Sequence, residues 1–158
     1  MLGTDPMPLR VGHPAPPFRR TDHAGREVVV GPDQDGVVVV YFYPKDETYG
    51  CTIEACGFRD EYAVFEDVGA TVIGISPDSD DSHDAFAKNH NLPFSLVSDR
   101  DGRLRDLYDV PRTLGLLPGR VTYVIDREGI VRHAFNSQLR ARKHVDEAAR
   151  LVRELSAK

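Results

Sequence analysis

Two cysteines, Cys51 and Cys56, are all that the 158 residues contain. That is too few to staple a secreted fold, and a chain of this length buries a sizeable core without staples. Met1 to Phe18 hold five prolines and no apolar run as long as the roughly 7 residues of a signal-peptide core, so neither a leader nor a membrane span is expected. The expected compartment is the cytoplasm. Positive charge is also short: 20 Lys and Arg face 25 Asp and Glu, a formal net charge of −5. This is the wrong sign for a nucleic-acid or anionic-membrane binder and leaves small molecules or proteins as partners. Repeats, low-complexity tracts and linkers are missing too, so residues 1–158 read as one domain. Hydrophobic residues at 41% and charged residues at 28% exclude disorder.

After the Pro-rich lead-in, Glu27 to Val30 and Val37 to Tyr43 are rich in β-branched and aromatic residues and predict strands. The second run is apolar without alternation, as in a central strand covered on both faces. From Cys51, the residues Ala55, Phe58, Tyr62 and Phe65 recur at helical spacing with charged residues between them, which predicts one amphipathic helix. Ala70 to Ser76 predicts a buried strand, Asp81 to His90 a helix, Phe94 to Val97 a strand and Arg103 to Tyr108 a short helix. Val121 to Ile125 and Ile130 to Ala134 flank Asp126-Arg127-Glu128-Gly129 as a hairpin, and a last helix from about Ala141 has Val145, Ala148, Ala149, Val152 and Leu155 on one side. The order predicts an α/β fold, a central mixed β-sheet flanked by helices, which a thioredoxin-like architecture fits best.

The segment from Tyr43 to Cys56 joins a buried strand to a helix that Cys51 opens. Unpaired N–H groups and the positive end of the helix dipole favour an anion there, so the position suits a nucleophilic thiolate. An inert cysteine packed as a small hydrophobe is the alternative that placement alone leaves open. In a regular helix Cys51 and Cys56 are about 140° apart around the axis and their Cα atoms about 8–9 Å apart. A disulfide needs less than about 7 Å, so the pair closes only if the first turns unwind. Cys51 shares the Ala55, Phe58 and Tyr62 face and Cys56 is rotated away from it, an asymmetry that suggests one attacking and one resolving thiol.

The stretch YFYPKDETYGCTIEACGFRD, Tyr41 to Asp60, resembles the active-site segment of peroxiredoxins, specifically the peroxiredoxin Q or bacterioferritin comigratory protein subfamily. The resemblance continues through VIGISPDS, LPFSLVSD and RVTYVID and covers about Val11 to Leu151. It implies a thioredoxin-like fold and a thiol peroxidase that reduces hydrogen peroxide and organic hydroperoxides. By position it makes Cys51 the peroxidatic and Cys56 the resolving cysteine. Thr48 matches the threonine that contacts thiolate and peroxide, Pro44 the proline that shields the sulfur, Arg120 the distant arginine and Glu54 the carboxylate that orients it. A solvated Arg120 and a surface Glu54 are the plainer alternatives for those two. Tyr49 departs from the family's usual proline and is expected to loosen the loop and to add an aromatic wall or a hydroxyl at the pocket mouth.

This reading implies an intramolecular disulfide recycled by thioredoxin or a glutaredoxin-like donor, a monomer, and no cofactor. Asp78 to Ser82 offers an Asp-x-Asp pattern but reads as loop and N-cap residues. The six histidines have no ligand spacing and the cysteines no zinc spacing, so no metal is expected; no glycine motif suggests a nucleotide. Arg140, Arg142, Lys143, Arg150 and Arg153 alternate with acids and read as a solvated face. Two rival readings are a protein disulfide oxidoreductase, disfavoured by the cysteine spacing, and a redox-responsive binding or holdase domain without turnover.

Overall fold

A computed structural model describes residues 8–113, 117–137 and 140–156, with backbone alone at 112, 113, 117, 118 and 156. The first seven residues of the Pro-rich lead-in lie outside the described residues. The elements run β1 (Phe18–Thr21), β2 (Glu27–Val30), β3 (Val38–Phe42), α1 (Tyr49–Asp60), α2 (Tyr62–Asp67), β4 (Thr71–Ser76), α3 (Asp80–His90) and β5 (Ser95–Ser98). There follow α4 (Arg103–Leu107), β6 (Arg112–Thr113), β7 (Leu117–Pro118), β8 (Val121–Ile125), β9 (Val131–Asn136) and α5 (Ala141–Ser156).

Five strands form the central sheet in the order β5-β4-β3-β8-β9. The β3–β4 and β4–β5 pairs are parallel, and the β3–β8 and β8–β9 pairs antiparallel, giving the mixed sheet predicted. All five residues of β3 are buried, which explains the absence of alternation. Val39, Tyr41 and Tyr43 point to a core with α1, α2, α3 and α5, while Val38, Val40 and Phe42 meet the β1–β2 hairpin, Leu104 and Tyr108. Both faces are therefore covered, one of them chiefly by a hairpin rather than by helices. Each large side chain buried this way contributes about 1.5–3 kcal/mol before opposing entropy.

The structure departs from the expected pattern at α1 and at β1. The helix expected from Cys51 through Phe65 is two, interrupted at Glu61 (φ −94°, ψ 8°). The Ala55, Phe58 and Phe65 periodicity survives the break because all three still meet the same core. Phe18–Thr21, read as lead-in, is a strand paired with β2; half of it is exposed and its Arg19 and Arg20 masked the signal. The hairpin turn is as expected: Asp126 accepts hydrogen bonds from the N–H groups of Glu128 and Ile130 through one carboxylate oxygen, and Gly129 takes φ +81°.

Candidate active site

Helix α1 starts two residues ahead of Cys51, so the cysteine lies in its first turn rather than at its opening position. Thr48 is the N-cap residue; its carbonyl accepts from the Thr52 N–H at 2.8 Å. Cys51 is 1% exposed and faces the core with Ala55 and Phe58, whereas Cys56 is half-buried, and both thiols are free. With both cysteines inside one intact helix, the sulfurs face different directions, as the spacing predicts.

Arg120 arrives from the short connection between β7 and β8. There the chain passes so close to the main chain of Pro111 that a Cβ on Gly119 would come 2.0 Å from the Pro111 carbonyl oxygen, which fixes the approach. The Arg120 Nη2 donates to the Cys51 sulfur at 3.3 Å, and Nη1 donates to Glu54 Oε1 at 2.5 Å. Both charged residues are buried, Arg120 at 3% and Glu54 at 0% exposure, so the solvated alternatives for them do not hold. Gly50 makes room: a Cβ there would come 3.0 Å from Nη2.

Burial pushes the Glu54 carboxyl up to about 8, with Arg120 pulling the other way. Burial also opposes the charge on Arg120, but Glu54 and Cys51 hold the guanidinium above its usual value. The sulfur thus faces a fixed cation whose second prong is tethered to the buried Glu54 carboxyl group.

Behind Glu54 stands His144, fully buried, with Nδ1 3.6 Å from Glu54 Oε2. Burial lowers His144 to about 4, so the ring is neutral. Nε2 faces the Ser137 carbonyl at 2.8 Å and carries the proton, leaving Nδ1 to accept from the Thr122 hydroxyl at 2.7 Å. Histidine spacing alone does not single out His144. Its signal was a polar residue in step with Ala141, Val145 and Ala148 on the buried face of α5.

Two expected site residues lie apart from this buried cluster. The Thr48 side chain is exposed and its hydroxyl donates to the Lys45 carbonyl at 2.7 Å, leaving the oxygen free to accept. Pro44 is half-buried at the start of the same loop. Tyr49 is 85% exposed and directed to solvent, so it does not wall the site.

One of the six histidines joins an acidic cluster: His83 meets Asp46 and Asp78, with candidate ligand atoms all within 4.8 Å. Each of these groups already has hydrogen-bond partners, so the cluster is a polar network. Ser79, read as a cap, does cap α3 by accepting from the Ser82 N–H at 3.1 Å.

A buried cysteine in the first turn of a helix, under an arginine, on a mixed sheet of this order, defines a thioredoxin-like thiol peroxidase. The chain matches the AhpC/TSA family over residues 11–134. It is 49% identical over 145 residues to the chloroplastic peroxiredoxin Q of Sedum lineare, covering 91% of this chain and 78% of that one. Among solved structures, peroxidoxin BcpB of Mycobacterium tuberculosis superposes with a TM-score of 0.84 at 33% identity, covering 93% of this chain and 98% of that one. Peroxiredoxin Q of Xanthomonas campestris gives 0.78 at 30%, covering 88% and 91%. The chain belongs to the AhpC/TSA family, in its peroxiredoxin Q group, and is a thiol-dependent peroxidase.

Proposed function

We propose that Cys51 and Cys56 carry out a two-cysteine cycle within one chain. The Cys51 thiolate attacks the terminal oxygen of a hydroperoxide; the S–O bond forms, the O–O bond breaks, and the alkoxide or hydroxide leaves with a proton from solvent. The Cys56 thiolate then attacks the Cys51 sulfenic acid, forming the disulfide and releasing water once hydroxide is protonated. An external dithiol returns two electrons and two protons to regenerate both thiols. No step needs a metal or an organic cofactor.

The contact of 3.3 Å from Arg120 Nη2 to the Cys51 sulfur carries this reading, because a fixed cation there favours the thiolate and the charge that develops on the departing oxygen. Glu54 orients the guanidinium. Thr48 receives or steers the peroxide at the helix start, and Pro44 shields the sulfur from water. Hydrogen peroxide and organic hydroperoxides are the substrates; a related bacterioferritin comigratory protein from Xanthomonas campestris, 30% identical with a TM-score of 0.77, is described by its alkyl peroxide reduction activity. Thioredoxin or a glutaredoxin-like protein serves as donor to a single-domain monomer. The need for that thiol donor supports a reducing, cytoplasmic setting.

The test is peroxide consumption with thioredoxin and its NADPH-dependent reductase. Turnover vanishes in Cys51→Ser, while Cys56→Ser reacts once and accumulates sulfenic acid. Wild-type rates in Cys51→Ser would overturn the assignment.

A further inference from the structure

The loop between β3 and α1 is gripped at two consecutive residues by α3, an element that supplies none of the residues of the proposed cycle. Asp46, only 5% exposed, accepts from the Tyr43 hydroxyl at 2.6 Å through Oδ1, and from Ser82 Oγ at 2.9 Å and His83 Nδ1 at 2.7 Å through Oδ2. Its main-chain N–H donates to Asp78 Oδ2 at 2.8 Å, which also accepts from Ser76 Oγ at 2.7 Å. His83 is fully buried, and its Nε2 lies 3.2 Å from the Val97 carbonyl. Contacts at both nitrogens, Asp46 on one side and the Val97 carbonyl on the other, fix the orientation of the ring inside the protein.

One residue further, Glu47 adopts φ +61°, the left-handed region that a residue with a Cβ rarely enters. Its carboxylate accepts from Asn89 Nδ2 and faces His90 Nε2, each at 2.7 Å. His83 and His90 are seven residues apart, two turns along one face of α3. Backbone of this kind persists where its surroundings over-determine it. Here two carboxylates seated on one helix face supply the constraint. Beyond Cys56, α1 is pinned again, for a Cβ on Gly57 would come 2.9 Å from Val145 Cγ2 of α5. The stretch that must unwind for the disulfide therefore lies between two fixed ends.

We propose that His83 and Glu47 are positioning residues for the peroxide step: through Asp46 and the strained loop they hold Thr48 and Cys51 in the geometry that reacts, while leaving the turn from Cys51 to Cys56 free to open afterwards. This rests on the two-cysteine cycle proposed above. Neither residue touches the sulfur. Their effect is specific in time, because the grip matters before the S–O bond forms and is not needed for the closure that follows.

The test separates the two steps by rapid quenching of the reduced protein with hydrogen peroxide, followed by intact-mass measurement of sulfenic acid and disulfide. In His83→Ala and Glu47→Ala the second-order rate of sulfenic acid formation falls by about 10-fold or more, as expected for a misplaced reacting group, while the first-order closure is unchanged or faster. His83→Asn, whose amide nitrogen reaches the Nδ1 position, recovers part of the loss. Equal slowing of both steps, or no slowing of the first in folded protein, overturns the proposal. Should His83→Ala fail to fold, the partly exposed Glu47 decides the matter in the same assay. Failure of the two-cysteine cycle itself shows separately, as the absence of any disulfide in wild type.

Discussion

Arg120 links Cys51 to Glu54: its Nη2 is 3.3 Å from the sulfur of Cys51 and its Nη1 is 2.5 Å from Oε1 of Glu54. The planar fork makes this possible, since one nitrogen can be anchored while the other points at a reacting atom. Lysine offers a single point charge and cannot do both. Arg120→Lys is expected to lower kcat/KM for peroxide by about 10²–10³, the usual loss when one fixed donor to developing charge is removed. Steady-state peroxide consumption checks this, with thermal unfolding to confirm the fold.

Gly50→Ala is expected to move stability and activity in opposite directions. Alanine favours a helical position by up to about 1 kcal/mol over glycine. The added Cβ comes 3.0 Å from Arg120 Nη2, however, and Glu54 holds that guanidinium in place. A displacement of a few tenths of an ångström should cost about 3- to 30-fold in the peroxide step, given that a full 1 Å can cost about 10². Denaturant midpoints and the rate of sulfenic acid formation measure the two effects independently.

Tyr49→Pro should stabilise the reduced protein by about 0.4–1 kcal/mol through the unfolded chain. Position 49 is the first residue of α1, where a missing N–H costs nothing. Thr48, at φ −79° and ψ 157°, already has the extended backbone that a following proline requires. Little packing is lost, because Tyr49 is 85% exposed. Urea unfolding of the dithiol form gives the measurement, and a lower midpoint would contradict it.

Glu54 and His144 should give stability opposite pH dependences. Glu54 rises from 4.5 to about 8 on folding, so the folded state keeps a proton that the unfolded state has lost, and stability falls as pH rises through that window. His144 drops from 6.5 to about 4, so the unfolded state takes up a proton first and stability falls as pH drops through that interval. Glu54→Gln should flatten the loss on raising pH from 4.5 to about 8, and His144→Asn the loss on lowering it from 6.5 to about 4. Chemical denaturation at a series of pH values distinguishes the two slopes.

Disulfide formation should loosen one stretch of α1. Amides from Gly50 to Cys56 are expected to exchange faster in the disulfide form than in the dithiol form, while those of β3 and β8 stay protected. Equal protection of the α1 segment in both forms would mean that the helix need not open.

Local chemistry along the chain determined most of the architecture: the unbroken apolar run of β3, the Asp126 to Gly129 turn and the apolar side of α5 each state their own structure. Cys51, and its separation from Cys56, were equally legible, because helix geometry depends on nothing but residue count. The break at Glu61 and the strand β1 were not, since the same residues suit a continuous helix or a loop until the core and the partner strand select one. Sequence proximity alone could assign Glu54 to either surface or site. Only the fold decided, by bringing Arg120 from 66 residues away to bury with it. The same holds for His144 behind Glu54 and for His83 against Asp46. A buried polar group is acceptable only with partners, and the partners come from distant elements that a single chain segment does not contain.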